Sequence, residues 1–188
     1  MENSKKLLRQ RAKDIRGAIL FKDRETGSAL LQEKVMTVLK PLIGVKNRKK
    51  IIGTYYPIGS EIQPPRAIDD VMMALPVIRH KIMIEFYPWT ADMRLVKRDF
   101  DIPIPDTRGL NPVHPDILLI PLLLCDERGN RIGYGAGHYD RYIASCVQKP
   151  LLIGLCYEEQ VWPETLPYDP YDQRLDLIIT PKRIIEVP

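Results

Sequence analysis

Cysteine is scarce in this chain, and the three present, Cys125, Cys146 and Cys156, are odd in number, widely spaced and free of any C-x-x-C pair. That excludes a disulfide framework and a thiolate zinc site. The apolar neighbours of Cys125 and Cys156 mark them as buried, inert thiols. Long apolar runs are lacking too. The longest, Ile117 to Cys125, is broken by Pro121 and falls far short of the roughly 20 residues that span a bilayer. No charged start followed by a hydrophobic stretch suggests a secretory signal, so a reducing, cytoplasmic setting with no membrane partner is expected. Internal repeats and low-complexity tails are absent. The net charge of +4 suits an anionic ligand but is too small to call for nucleic acid, and Lys and Arg do not cluster with interleaved aromatics.

The chain has 188 residues, 45% hydrophobic and 28% charged, which predicts one soluble domain over residues 1–188, expected as a monomer. Leu8, Ala12, Ile15 and Ile19 share one helical face, and Leu30, Leu31, Val35, Val38 and Leu39 make a second amphipathic pattern before Pro41. Strands are predicted at Ile51 to Tyr56, Lys81 to Trp89, Asp116 to Cys125, Leu151 to Tyr157 and Leu175 to Thr180. A helix is predicted at Pro65 to Leu75, with Pro64 and Pro65 at its start. Alternation of this kind points to an α/β fold: a mainly parallel sheet with helices on both faces and ligands at the carboxyl ends of the strands. Pro103, Pro105, Pro112 and Pro115 make Asp101 to Pro115 a connecting loop, with a mobile lid as the less favoured reading. Trp89 and Phe100 flank it and are expected to pack in the core.

The densest signal is Arg131, Ile132, Gly133, Tyr134, Gly135, Ala136, Gly137, His138, Tyr139, Asp140, Arg141. Alternate glycines let backbone N–H groups converge on an anion, and a helix over Tyr139 to Val147 adds its dipole. The spacing is neither a Rossmann fingerprint nor a P-loop, which would end in Gly-Lys-Ser/Thr. A plain glycine turn with Asp140 as helix cap accounts for the glycines equally well.

The run resembles the signature of the 5-formyltetrahydrofolate cyclo-ligase family, roughly Arg, Leu, Gly, x, Gly, x, Gly, Tyr, Tyr, Asp, with His138 standing at the first tyrosine. Collinear segments extend the resemblance along nearly the whole chain. They are Lys5 to Arg9, Ile52 to Pro57 followed by Glu61, Ile153 to Gln160, and Asp172 to Asp176. The resemblance implies a three-layer α/β/α fold similar to the sugar-phosphate isomerase and CoA-transferase-like folds. It also implies a ligase that uses ATP and Mg²⁺ to close 5-formyltetrahydrofolate to 5,10-methenyltetrahydrofolate, releasing ADP and phosphate. The formyl oxygen takes the γ-phosphoryl group, N10 attacks the activated carbon, and phosphate leaves. By the same resemblance, ATP is held by Lys5, Arg9, Arg131, Gly133, Gly135, Gly137 and Tyr139. Folate is held by Tyr56, Glu61, Tyr134, Gly135, Ala136, Gly137 and His138, and Mg²⁺ by Asp140 and Asp176. No covalent nucleophile is implied, because phosphoryl transfer works by positioning and charge neutralisation.

The role of Asp172 stays open. Lys6, Arg11, Lys13 and Arg16 read as a solvated basic face, and His80 and His114 as surface residues. Two other functions fit the glycine loop: a sugar-phosphate isomerase or sensor that ignores folate, and a nucleotide- or folate-binding module without turnover.

Overall fold

Alternate side chains of one strand, Ile117–Pro121, divide between two hydrophobic cores, and the layers of the fold are built on that division. The computed structural model describes residues 2–43, 49–97 and 102–188. Phe100 and the first residue of the proline-rich segment, Asp101, lie outside the described residues. Two helices come first, α1 (Glu2–Ala18) and α2 (Phe21–Ile43). They are followed by β1 (Lys50–Gly53), β2 (Val71–Arg79), β3 (Met83–Trp89), β4 (Leu95–Lys97) and β5 (Pro103–Pro105). Then come β6 (Ile117–Pro121), β7 (Leu124–Asp126), β8 (Arg131–Ile132), α3 (His138–Ser145) and β9 (Leu151–Leu155). A 3₁₀ turn (Glu158–Gln160), β10 (Val161–Trp162), β11 (Leu177–Ile179) and β12 (Ile184–Glu186) follow.

Seven strands form the central sheet in the order β12-β11-β9-β6-β1-β2-β3. The four inner pairings are parallel, and antiparallel strands close both edges. The sheet is therefore mainly parallel, as expected. Ile117 and Leu119 of β6 face one core with Leu31, Val35 and Leu39 of α2, while Leu118 and Ile120 face the other with Tyr142 and Ile143 of α3. The fold is thus three-layered. Each fully buried α2 side chain contributes roughly 1.5–3 kcal/mol of burial. Cys125 and Cys156 are buried free thiols with their sulfurs 3.6 Å apart. Trp89 is core-packed, and His80 and His114 are exposed.

Several expectations are corrected. Residues 65–75 are a loop running into β2, not a helix. Met73 and Leu75 fill one core and Ala74 the other, so this stretch is apolar on both faces, a pattern periodicity alone cannot assign. The single strand expected from Asp116 to Cys125 is two strands. Gln160 explains the break: its side-chain amide donates to the carbonyls of Leu122 (3.0 Å) and Leu123 (2.9 Å). The chain then turns into a small second sheet, β10-β7-β8. The segment after Asp101 is more than a connecting loop, because β5 pairs antiparallel with β4 and buries Ile104 against Val77 and Tyr87.

Helix α1 lies against the small sheet through Ala12, which packs with Leu123, Leu124, Ile132 and Leu166. Lys5, Ala12 and Arg16 are buried on it and Arg9 is partly buried, while Lys6, Arg11 and Lys13 are exposed. Of the four residues expected on a solvated face, Lys6, Arg11 and Lys13 are there and Arg16 alone turns inward.

Candidate functional site

A cavity of about 1030 Å³ opens where the carboxyl ends of β1 and β6 meet the glycine loop and α1, and it brings together residues from both halves of the chain. Its apolar wall includes Leu75, Val77, Ile84 and, from the β5 segment, Ile102 and Ile104. The opposite wall is charged: Lys5 and Arg9 from α1, Arg131 from β8, Asp140 from α3, and Asp169 and Asp172 from the loop after β10. This amphipathic shape suits a ligand with a flat apolar body and an anionic partner.

The charges neutralise one another in pairs. Lys5 Nζ donates to Asp169 Oδ2 and to Asp172 Oδ2, each at 2.6 Å. Burial works against its ammonium, but the two carboxylates outweigh that and hold its pKa above the ordinary lysine value. Arg131 Nη2 donates to Asp140 Oδ1 at 2.6 Å, and the backbone N–H of Gln173 donates to the same oxygen at 3.0 Å. Arg131 Nε is buried with no partner, a donor held ready for an anion. Arg9 Nε donates to the Gly133 carbonyl at 3.1 Å, and its guanidinium lies over Gly135.

Only two of the three loop glycines need their freedom. Gly135 has φ +102° and Gly137 φ +65°, whereas Gly133 lies outside the left-handed region. A Cβ at Gly135 would sit 3.2 Å from Arg9 Cζ, so the missing side chain is what lets the guanidinium approach. Gly137 begins α3 without a side-chain cap. Asp140 therefore does not cap its helix, since its carboxylate reaches Arg131 and Gln173 instead. His138 and Arg141 tie the loop to the β2–β3 turn: His138 Nδ1 lies 3.1 Å from the Ile82 carbonyl, and Arg141 Nε donates to it at 2.9 Å.

At the other end, Glu61 is buried beside Tyr55, Tyr56, Tyr134 and Tyr139. Tyr134 Oη donates to Glu61 Oε1, and the Ile58 N–H donates to Oε2 at 2.8 Å. Burial raises the Glu61 pKa above the usual glutamate value, and the Tyr134 hydroxyl, the Ile58 amide and Arg16 each pull it back. Burial also pushes Tyr55, Tyr134 and Tyr139 upward, reinforced by the Glu61 charge.

Every expected ATP and folate residue lines this one cavity. Asp176 does not. Its Oδ2 accepts the Leu152 N–H at 2.8 Å, at the amino end of β9, opposite the strand ends that form the cavity. The carboxylate of the same motif that does line the cavity with Asp140 is Asp172. No motif in the sequence singles out Asp169 or Ile104, and Arg16, expected on a solvated face, is buried. The signal for Arg16 was present: with Lys5, Arg9 and Ala12 it falls on one stripe at 4-3-4 spacing. Among the described residues no cluster of three or more His, Cys, Asp or Glu could cage a metal. No described helix is long and apolar enough to cross a membrane.

Fold and cavity together define an α/β protein with a cation-lined cavity at the carboxyl ends of a mainly parallel sheet. Residues 1–181 match the sequence model of the 5-formyltetrahydrofolate cyclo-ligase family. The chain belongs to that family. It is 26% identical to the 5-formyltetrahydrofolate cyclo-ligase of Mycolicibacterium smegmatis over 185 residues, covering 90% of this chain and 93% of that one. Over a shorter stretch it is 44% identical to the cyclo-ligase of Mycoplasma genitalium, a match that takes in 37% of this chain and 41% of the relative. The NMR structure of Aquifex aeolicus 5,10-methenyltetrahydrofolate synthetase superposes with a TM-score of 0.75 at 27% identity, covering 97% of this chain and 92% of that one.

Proposed function

We propose that this protein closes 5-formyltetrahydrofolate to 5,10-methenyltetrahydrofolate with ATP and Mg²⁺, releasing ADP and phosphate. The observation that carries the reading is a single cavity with a buried carboxylate, Glu61, among tyrosines at one end and the cations Lys5, Arg9 and Arg131 at the other. The pterin donates its N–H edge to Glu61, and Tyr56, Tyr134 and the apolar wall flank its rings. The triphosphate lies against Lys5, Arg9, Arg131 and the glycine loop, with the buried Arg131 Nε available to it.

The donor set fits Mg²⁺, which favours one or two carboxylates completed by phosphate oxygens and water over an all-protein cage. Asp140 and Asp172 would hold it, and Asp169 stays with Lys5. When bound, the metal neutralises phosphate charge during transfer. The formyl amide oxygen is a poor leaving group. It attacks the γ-phosphorus as ADP departs, N10 then attacks the formyl carbon and gives up its proton to solvent, and the C–O bond breaks to release phosphate. The side chains hold the two substrates in line and exclude water, supplying proximity and charge complementarity.

The test mixes purified protein with 5-formyltetrahydrofolate, ATP and Mg²⁺ and follows the methenyl chromophore and ADP together, omitting each component in turn. Product that requires all three establishes the reaction. Nucleotide or folate binding without product indicates a binding module, and sugar-phosphate binding that ignores folate indicates the isomerase-like alternative.

A further inference from the structure

Arg16 lies two helical turns beyond Arg9 on the same stripe of α1, yet it serves the Glu61 end of the cavity. Its Nε donates to Ser60 Oγ at 3.1 Å, its Nη2 donates to Tyr134 Oη at 2.9 Å, and its Nη1 lies 3.8 Å from Glu61 Oε1. The guanidinium also sits 5.8 Å from the centre of the Tyr134 ring. Both charged side chains are buried, Arg16 at 7% and Glu61 at 4% exposure. Arg16 Nη1 has no hydrogen-bond partner.

An incompletely paired ion in such a place is a poor device for stability. Desolvation offsets most of the attraction, and an apolar side chain of similar size often does as well or better. The arrangement makes sense if the charge is needed for what Glu61 and Tyr134 do. Facing Glu61 are Arg16 from α1, Tyr134 from the glycine loop, Tyr55 from the end of β1 and Tyr139 from α3. The three tyrosines are neutral, so Arg16 is the cation that opposes the effect of burial on the carboxylate. Tyr134 Oη accepts from Arg16 while it donates to Glu61, so one guanidinium fixes both the acid and its neighbour on the glycine loop.

We propose that Arg16 is a positioning residue for the pterin end of the substrate, keeping Glu61 ionised and aimed into the cavity and holding Tyr134 beside it. The proposal rests on the folate reading above. An ionised carboxylate accepts two parallel N–H bonds from an aminopyrimidine edge, whereas a protonated one presents an O–H in place of one acceptor. Affinity for folate therefore falls as pH drops through the Glu61 pKa, and without Arg16 that fall begins at higher pH.

The experiment measures the dissociation constant of 5-formyltetrahydrofolate by fluorescence quenching, without nucleotide, from acid to neutral pH. The proteins are the wild type, Arg16→Met, Arg16→Lys and Glu61→Gln, each checked for cooperative melting. Arg16→Met is expected to weaken folate about tenfold at neutral pH and to move the acid limb to higher pH. Its affinity for ATP with Mg²⁺ is expected to change by less than about twofold, since added local charge effects fade with distance. Arg16→Lys keeps the charge but cannot reach Ser60, Tyr134 and Glu61 at once, so folate weakens several-fold with the acid limb near its wild-type place. Wild-type affinity and pH profile in Arg16→Met overturn the proposal. If that variant does not fold, wild-type folate affinity in Arg16→Lys overturns it. Folate binding that Glu61→Gln leaves intact overturns the folate reading and the proposal with it. Loss in Glu61→Gln alone, with both Arg16 variants unaffected, removes only the role given to Arg16.

Discussion

Asp172 and Asp176 share one motif and Asp140 ends another, and the three do different work. Asp140 and Asp172 face the cavity, each ion-paired to a cation that a phosphate would take over. Asp176 spends its carboxylate on the Leu152 amide, while its own N–H donates to the Leu152 carbonyl. Substitution should separate these roles. Asp140→Asn and Asp172→Asn are each expected to lower Mg²⁺-dependent turnover by about 100-fold or more with melting little changed, read from initial rates against metal concentration. Asp176→Ala is expected to reverse the pattern. It loses about 1–3 kcal/mol of stability in denaturant unfolding because a buried amide goes unpaired, and it keeps its metal dependence. Metal dependence lost in Asp176→Ala and kept in Asp172→Asn would restore the assignment drawn from sequence. Spacing alone does not separate the two acids, because which side of the sheet each faces is set by the strand that Asp176 introduces.

At the scale of elements, the glycine loop is the part most nearly legible from its residues and still only partly so. Three glycines at alternate positions look equivalent in sequence, but the backbone uses them unequally. Gly135→Ala places a side chain at φ +102° against Arg9 and is expected to cost about 1–3 kcal/mol and to weaken nucleotide binding. Gly133→Ala meets nothing nearer than 3.6 Å, at Arg131, and is expected to keep near-native stability. Paired melting curves and ATP titrations check this, and equal behaviour of the two variants would contradict the loop geometry. Helix α1 shows the opposite failure. Its periodicity is plain, but by spacing alone Lys5 and Arg16 read as solvated unless the carboxylates that receive them are known. Those carboxylates lie 164 and 167 residues away for Lys5. The first part of β2, residues 71–75, falls within the helix expected at Pro65 to Leu75, because a strand buried on both faces has no polar alternation to reveal it.

Across the whole molecule, the buried polar groups that shape the cavity also set its behaviour at high pH. Five of the nine tyrosines, Tyr55, Tyr134, Tyr139, Tyr142 and Tyr157, have pKa values raised mainly by burial. Above the ordinary tyrosine value of 10.0 the unfolded chain loses these protons while the fold retains them, so stability falls as pH rises. Lys5 acts in the same direction. Its raised pKa gives a contribution that is complete below 10.5 and is lost as pH rises through the folded value. Stability in urea is therefore expected to hold through neutral pH and to drop steeply above about pH 10. Phenolate absorbance should then report fewer than nine ionised tyrosines until the fold is lost. Full ionisation of all nine before unfolding would contradict the burial of these five rings.

The sequence by itself determined the layers and the chemistry of the loop. Alternating strands and helices require a mainly parallel sheet covered on both faces, and the collinear motifs identify the family and most of the residues around the cavity. Tertiary structure decided which charges meet. It turned Arg16 inward to Glu61 and Tyr134, selected Asp172 over Asp176 for the cavity, and made β5 part of its wall. The physical reason is that local periodicity reports which residues share a face of one element. The sign and distance of what that face meets depend on contacts between segments far apart in sequence, from 33 residues for Gln173 and Asp140 to 167 for Lys5 and Asp172.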